Sequence, residues 1–302
     1  MIAIRRILCP IDFSDFSRRA LDHAFAIARW YRSTVTVLHV FAPVAVPAFG
    51  PNSAGFEPIV LTDIDREQLL AHTKKFVATE SAPGTATVAV LREGNTAAEI
   101  LAQAGDMDAD LLVIGTHGGS GFERLVLGSV AEKVLRKARC PVLTVPRWLP
   151  DAVPSGPLFK RIVCAVDFSD CSMVALKYAV SLAQEADGCL TVLHVMAPEL
   201  VDPVGVGAEH VSLAALLVQR EEQARRLLEK AVPQNARPSC KIESILVHGT
   251  AWREILQVAA DRRAELIVMG VQGRGAADLL FFGSTANHVV RQAACPVLTL
   301  RG

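Results

Sequence analysis

Two glycine-rich stretches carry the residues best suited to hold a charged ligand. Gly115-Thr-His-Gly118 is followed after nine residues by Gly128-Ser129, and Gly270-Val-Gln-Gly273 is followed after nine by Gly283-Ser284. Each glycine of the second copy lies 155 positions after its counterpart. Glycine lets a backbone approach a ligand closely. A helix opening at Ser129 or Ser284 would add free N–H groups and the positive end of its dipole, which suit a phosphate, and the serine supplies a hydroxyl donor. Ser129-Val-Ala-Glu132 also has the form of a capping box, in which Ser129 would serve its helix alone. The second copy has Asn287 in place of that glutamate yet keeps Gly283-Ser284. Recurrence of all three glycines at one spacing favours an anion site over capping alone.

Two carboxylates accompany the glycines. Asp12 and Asp167 each open an Asp-Phe-Ser-Asp run at the end of an apolar stretch. A carboxylate at the lip of a strand can accept hydrogen bonds from a base or sugar; a helix N-cap is the other reading. No G-x-x-x-x-G-K-[ST] loop is present, and Gly273-Arg-Gly275 begins like a dinucleotide fingerprint but ends wrongly and follows the fourth strand. Neither glycine motif contains a lysine or a paired carboxylate for phosphoryl transfer, so no catalytic residue and no metal ligand is assigned.

The elements that must position these groups repeat as well. Residues 6–43 align without gaps to 161–198, with 19 of 38 positions identical, and the same offset returns at Leu91/Leu246 and runs to the Cys-Pro-Val-Leu-Thr ends. Such internal repetition means a duplicated domain. In the first copy, apolar runs at 6–11, 34–40, 87–91, 111–114 and 142–145 read as strands, and helical patterns fall at 14–31, 63–79, 97–103 and 129–138. Continuous Val/Ile/Leu strands alternating with helices predict a doubly wound α/β domain whose parallel sheet is covered on both faces. The expected domains are 1–146 and 158–302, joined by a Pro-rich linker at 147–157, with long connections at 41–61 and 196–210.

Composition narrows the function. Lys+Arg and Asp+Glu are both 31, so no net field favours nucleic acid or an acidic membrane. Hydrophobic residues make up 51%, yet the longest uncharged stretch, 33–56, is broken by prolines and glycines and is no membrane helix. The start of the chain lacks a secretory h-region, which predicts a cytoplasmic protein. Seven cysteines form no C-x-x-C pair and are expected to be buried thiols of a reducing compartment.

These residues resemble the universal stress protein family. The resemblance rests on the strands ending at Asp12 and Asp167, the Leu-His-Val runs at 38–40 and 193–195, and above all the pattern G-x2-G-x9-G-[ST]. It covers nearly all of both halves. It implies two tandem Rossmann-like domains of the HUP type, each with five parallel strands in the order 3-2-1-4-5 and four helices. It implies ATP, with or without magnesium, as the ligand. Asp12 and Val40 would lie at the adenine, and Gly115, Gly118, Gly128, Ser129 and Val130 at the ribose and phosphates. The counterparts are Asp167, Val195, Gly270, Gly273, Gly283, Ser284 and Thr285. Gln272 departs from the family at the position of His117. The resemblance also implies that the last strands pair antiparallel, making an intrachain pseudo-dimer that can dimerise again. The expected function is stress response or signalling through ATP binding with little or no catalysis. The alternatives are a slow ATP hydrolase or nucleotide-dependent enzyme, and an interaction scaffold with vestigial sites.

Overall fold

Short runs of Val, Ile and Leu, too short for helices and bounded by turn residues, become the parallel-paired strands of each domain. The computed structural model describes residues 2–43, 45–47, 56–58, 61–78, 84–116, 127–147, 158–197, 210–232, 240–272 and 282–301. The chain divides into two compact units, residues 3–155 and residues 156–302 together with 1–2.

In the first domain the order is β1 (Arg6–Ile11), α1 (Asp15–Tyr31), β2 (Thr34–Phe41), β3 (Ala45–Pro47), β4 (Phe56–Pro58), α2 (Asp63–Ala78), β5 (Thr87–Glu93), α3 (Thr96–Asp106), β6 (Leu111–Gly115), α4 (Ser129–Lys137) and β7 (Val142–Val145). The second repeats it with β8 (Arg161–Ala165), α5 (Asp170–Glu185), β9 (Cys189–Met196), α6 (His210–Ala231), β10 (Lys241–His248), α7 (Ala251–Asp261), β11 (Leu266–Gly270), α8 (Ser284–Gln292) and β12 (Val297–Leu300). Within the first domain the strand order is β5-β2-β1-β6-β7 and within the second β10-β9-β8-β11-β12. The chain therefore reverses its direction of travel across the sheet between β1 and β6, and between β8 and β11. A crevice opens at the carboxyl ends of the strands at such a reversal.

The 41–61 connection, read from the sequence as a loop, contains an antiparallel ribbon in which Ala45 pairs with Pro58 and Pro47 with Phe56. Its prolines mask the pairing, because proline lowers strand propensity wherever it stands. No helix among the described residues is long and apolar enough to cross a membrane.

The central strands are buried on both faces. Ile7, Leu8, Leu38, Leu112, Leu190 and Leu193 are almost wholly excluded from solvent, each contributing roughly 1.5–3 kcal/mol of transfer energy. A buried imidazole inside this core has a partner. His23 on α1 is 7% exposed, and its Nδ1–H donates to the Arg19 carbonyl at 2.9 Å. Burial lowers its pKa below the ordinary imidazole value. Because the folded form resists protonation, stability is retained above the unfolded pKa and lost as pH falls through it toward the depressed folded value. Urea unfolding between pH 7 and 5 is expected to show this loss, with a shallower pH slope in His23→Gln.

None of the seven cysteines is in a disulfide. Burial pushes the Cys9 and Cys164 thiols far above their ordinary range and Cys295 up to about 12, so these behave as inert core groups. Cys140 and Cys171 are half-buried, and Cys189, at the start of β9, is exposed, contrary to the expectation of uniformly buried thiols.

Candidate functional site

Each first strand ends in a backbone that the following side chains hold in place. Phe13 and Phe168 adopt φ of 62° and 63°, a left-handed conformation unfavourable for a bulky residue and tolerated only where the surroundings over-determine it. His39 supplies part of that restraint. Its Nδ1–H donates to the Ile11 carbonyl at 3.0 Å and its ring lies 4.4 Å from the Phe13 ring. His194 does the same for Val166, at 2.7 Å, and for Phe168, at 4.6 Å. The histidine of each Leu-His-Val run thus fixes the turn that presents the aspartate. In the first domain His72 of α2 also stacks on Phe13, at 4.4 Å.

Asp12 and Asp167 do not cap their helices. Ser14 and Ser169 are the N-caps of α1 and α5, accepting from the backbone N–H groups of Ser17 and Ser172. The aspartates brace those caps instead. Asp12 Oδ1 accepts from the Ser14 N–H at 3.1 Å and hydroxyl at 2.5 Å, and Asp167 Oδ1 from the Ser169 N–H at 3.0 Å and hydroxyl at 2.5 Å. Each carboxylate is therefore oriented before any ligand arrives.

Across the crevice, the helices after the glycine loops begin differently from the capping-box expectation. Gly128 and Gly283 are the N-caps of α4 and α8, and neither helix has a side-chain cap. Ser129 and Ser284 occupy the first helical position, and Glu132 pairs with Arg136 at 3.1 Å rather than reaching back. First-turn N–H groups at both helix N-termini thus have no side-chain cap, the arrangement that receives an anion.

In the second domain these elements enclose a cavity of about 370 Å³. Asp167, Val195, Gly270, Gly283, Ser284 and Thr285 all line it. The equivalent cavity of the first domain is about 210 Å³ and is lined by Asp12, Gly115, Gly128, Ser129 and Val130 but not, among the described residues, by Val40. Val40 is 9% exposed. Gly118 and Gly273 lie outside the described residues.

The universal stress protein family matches residues 3–146 and again 158–301. The chain belongs to this family. It is similar to a universal stress protein of Methanocaldococcus jannaschii, 32% identical over 144 residues that span 48% of this chain and 83% of that protein. A universal stress protein of Mycolicibacterium smegmatis is 26% identical over 302 residues, 98% of this chain and 96% of that one. The crystal structure of a universal stress protein from Archaeoglobus fulgidus shares the fold, with a TM-score of 0.64 at 22% identity over 98% of this chain and 96% of that chain.

As in the family pattern, the glycines recur in both domains, yet two of them have packing reasons of their own. A Cβ on Gly270 would sit 2.9 Å from Cys171 Cβ and 3.0 Å from the Ser172 nitrogen, in the first turn of α5. A Cβ on Gly283 would sit 3.0 Å from the Val271 carbonyl oxygen, which accepts the Gly283 N–H at 2.8 Å and closes the loop stem. Gly128 and Gly283 have φ of −57° and −58°, so a left-handed backbone explains neither, and for Gly283 the close approach of the Val271 carbonyl does. Part of the motif therefore serves the fold. Sequence reasoning missed the cavity residues from the third helix of each domain, Thr96 and Ile100 in the first and Ala251 and Ile255 in the second. Their signal was the repeated Gly94/Gly249 and Glu99/Glu254 spacing.

Proposed function

We propose that this chain binds an adenine nucleotide, ATP, in the crevices at the β1/β6 and β8/β11 carboxyl ends, and acts in stress response through occupancy rather than turnover. The observation that carries the reading is the second-domain cavity, whose wall joins an oriented carboxylate, two glycines and an uncapped helix N-terminus. Asp167 and Val195 would hold the base end, and Gly270, Gly273, Gly283, Ser284 and Thr285 the ribose and phosphates. Asp12, Val40, Gly115, Gly118, Gly128, Ser129 and Val130 would do so in the first domain. Among the described lining residues the only charged side chains are Asp12 and Asp167. Transfer of a phosphoryl group calls for cations to meet its developing charge, which supports binding over catalysis. Assembly as an intrachain pseudo-dimer and a homodimer belongs to the same reading and rests on the family resemblance.

The test is to incubate the purified chain with ATP, remove unbound nucleotide by rapid desalting, denature the protein and identify what is released by mass spectrometry. ATP, or ADP derived from it, is expected in stoichiometric proportion. Release no greater than from a heat-denatured control would overturn the proposal.

A further inference from the structure

The two crevices differ at the end where a base would lie, and the edge strand beside that end differs between the domains in one charged side chain. Parallel register places Arg92 of β5 directly beside Val40, whereas β10 places Val247 beside Val195. Arg92 does not extend into solvent. Its Nε donates to Gln103 Oε1 at 2.8 Å, Nη1 pairs with Glu99 at 3.3 Å and Nη2 with Asp106 at 2.5 Å. All three partners are on α3, so the arginine straps the edge strand to the helix beside Val40. Its side chain is 25% exposed, so these charge-assisted bonds are only partly screened.

Among the described residues the second domain has no such strap. Val247 replaces Arg92, and Val258 of α7 stands 155 positions after Gln103. There the cavity reaches Leu193 and Val195 of β9 and has a volume of about 370 Å³. In the first domain no β2 residue is among the described lining, and the volume is about 210 Å³. The phosphate ends match, since Gly128 and Gly283 begin uncapped helices with nearly the same dihedral angles.

We infer that the two sites are inequivalent: the second domain takes adenine nucleotide in a preformed cavity, while the Arg92 strap closes the base end of the first, which fills only when the strap is released. This rests on the nucleotide-binding reading above and adds an order of filling and its cause. A site competent in only a fraction of molecules binds with an apparent affinity reduced by that fraction. A strap open in about one molecule in ten weakens the first site about tenfold.

Calorimetric titration of the full chain with magnesium-ATP tests it, together with photolabelling by an azido-ATP at sub-stoichiometric nucleotide and mapping of the labelled peptides. The wild type is expected to show one tight equivalent, with label in the second domain, and a second equivalent at least ~10-fold weaker. Arg92→Val, which installs the second domain's own residue, is expected to bring the two equivalents close together. A Glu99→Gln/Asp106→Asn double variant loosens the strap from the helix side and should do the same without touching β5. Two equal sites in the wild type, label mapping first to residues 3–155, or an unchanged weak site in both variants would overturn the inference. No binding at all by the wild type would instead overturn the nucleotide reading on which it rests, and the inference with it.

Discussion

Ser284→Glu is expected to abolish nucleotide binding in the second domain while leaving the domain as stable as before or slightly more so. Ser284 is the first residue of α8 and is exposed, with Gly283 as an N-cap that offers no side chain. A carboxylate in the first turn interacts favourably with the helix dipole, by about 0.3–1 kcal/mol. The same carboxylate would occupy the space of a phosphate and repel it. Two unit charges about 4 Å apart at an effective dielectric of 20 repel by about 4 kcal/mol, and half of that already weakens binding by roughly 30-fold. Stability and affinity therefore move in opposite directions, which a misfolded variant would not do. Urea unfolding and ATP titration of the one variant read both. Undiminished affinity would mean that this helix end does not meet the phosphates.

Gly270→Val is expected to destabilise the second domain by at least about 1–3 kcal/mol, the usual range for overpacking a core. The β-carbon alone would approach Cys171 Cβ to 2.9 Å and the carbonyl carbon of Cys171 and nitrogen of Ser172 to 3.0 Å. Two of those neighbours are backbone atoms at the start of α5, which Ser169 caps, so relief requires moving the helix. A valine adds two methyl groups to that clash. The unfolding midpoint in urea measures the loss; a change below about 0.5 kcal/mol, ordinary for a surface site, would contradict the packing account. The result bears on function, because weakened ATP binding in this variant reports a shifted α5 as well as any lost ligand contact. Ser284 separates the two effects and Gly270 does not.

The strands were legible because both halves place short apolar runs rich in Val, Ile and Leu between helical patterns, and the duplicated register allowed each copy to check the other. Asp12, Asp167 and the two glycine–serine pairs were legible for the same reason. Their local roles were not. Ser129 and Glu132 match the capping-box spacing, but the helix begins one residue earlier than that pattern assumes, with Gly128 as its cap. Ser14 and Ser169, not the aspartates, are the caps because they stand immediately before the first helical residues Asp15 and Asp170. The Leu-His-Val runs were visible, while the left-handed Phe13 and Phe168 that they support depend on three-dimensional stacking. Arg92 had no signal at all. Its partners lie 7, 11 and 14 residues away on a different element, and the second copy, where valines replace Arg92 and Gln103, offers no repeat to reveal it.

Equilibrium dialysis of the nucleotide-free chain against radiolabelled ATP tests the central claim most directly. Saturable retention is predicted, with a dissociation constant in the micromolar range, about −8 kcal/mol of binding free energy, and with retention largely lost in a Ser129→Glu/Ser284→Glu double variant. Equal label on the two sides of the membrane at every ATP concentration, or retention unaffected in the double variant, would contradict it.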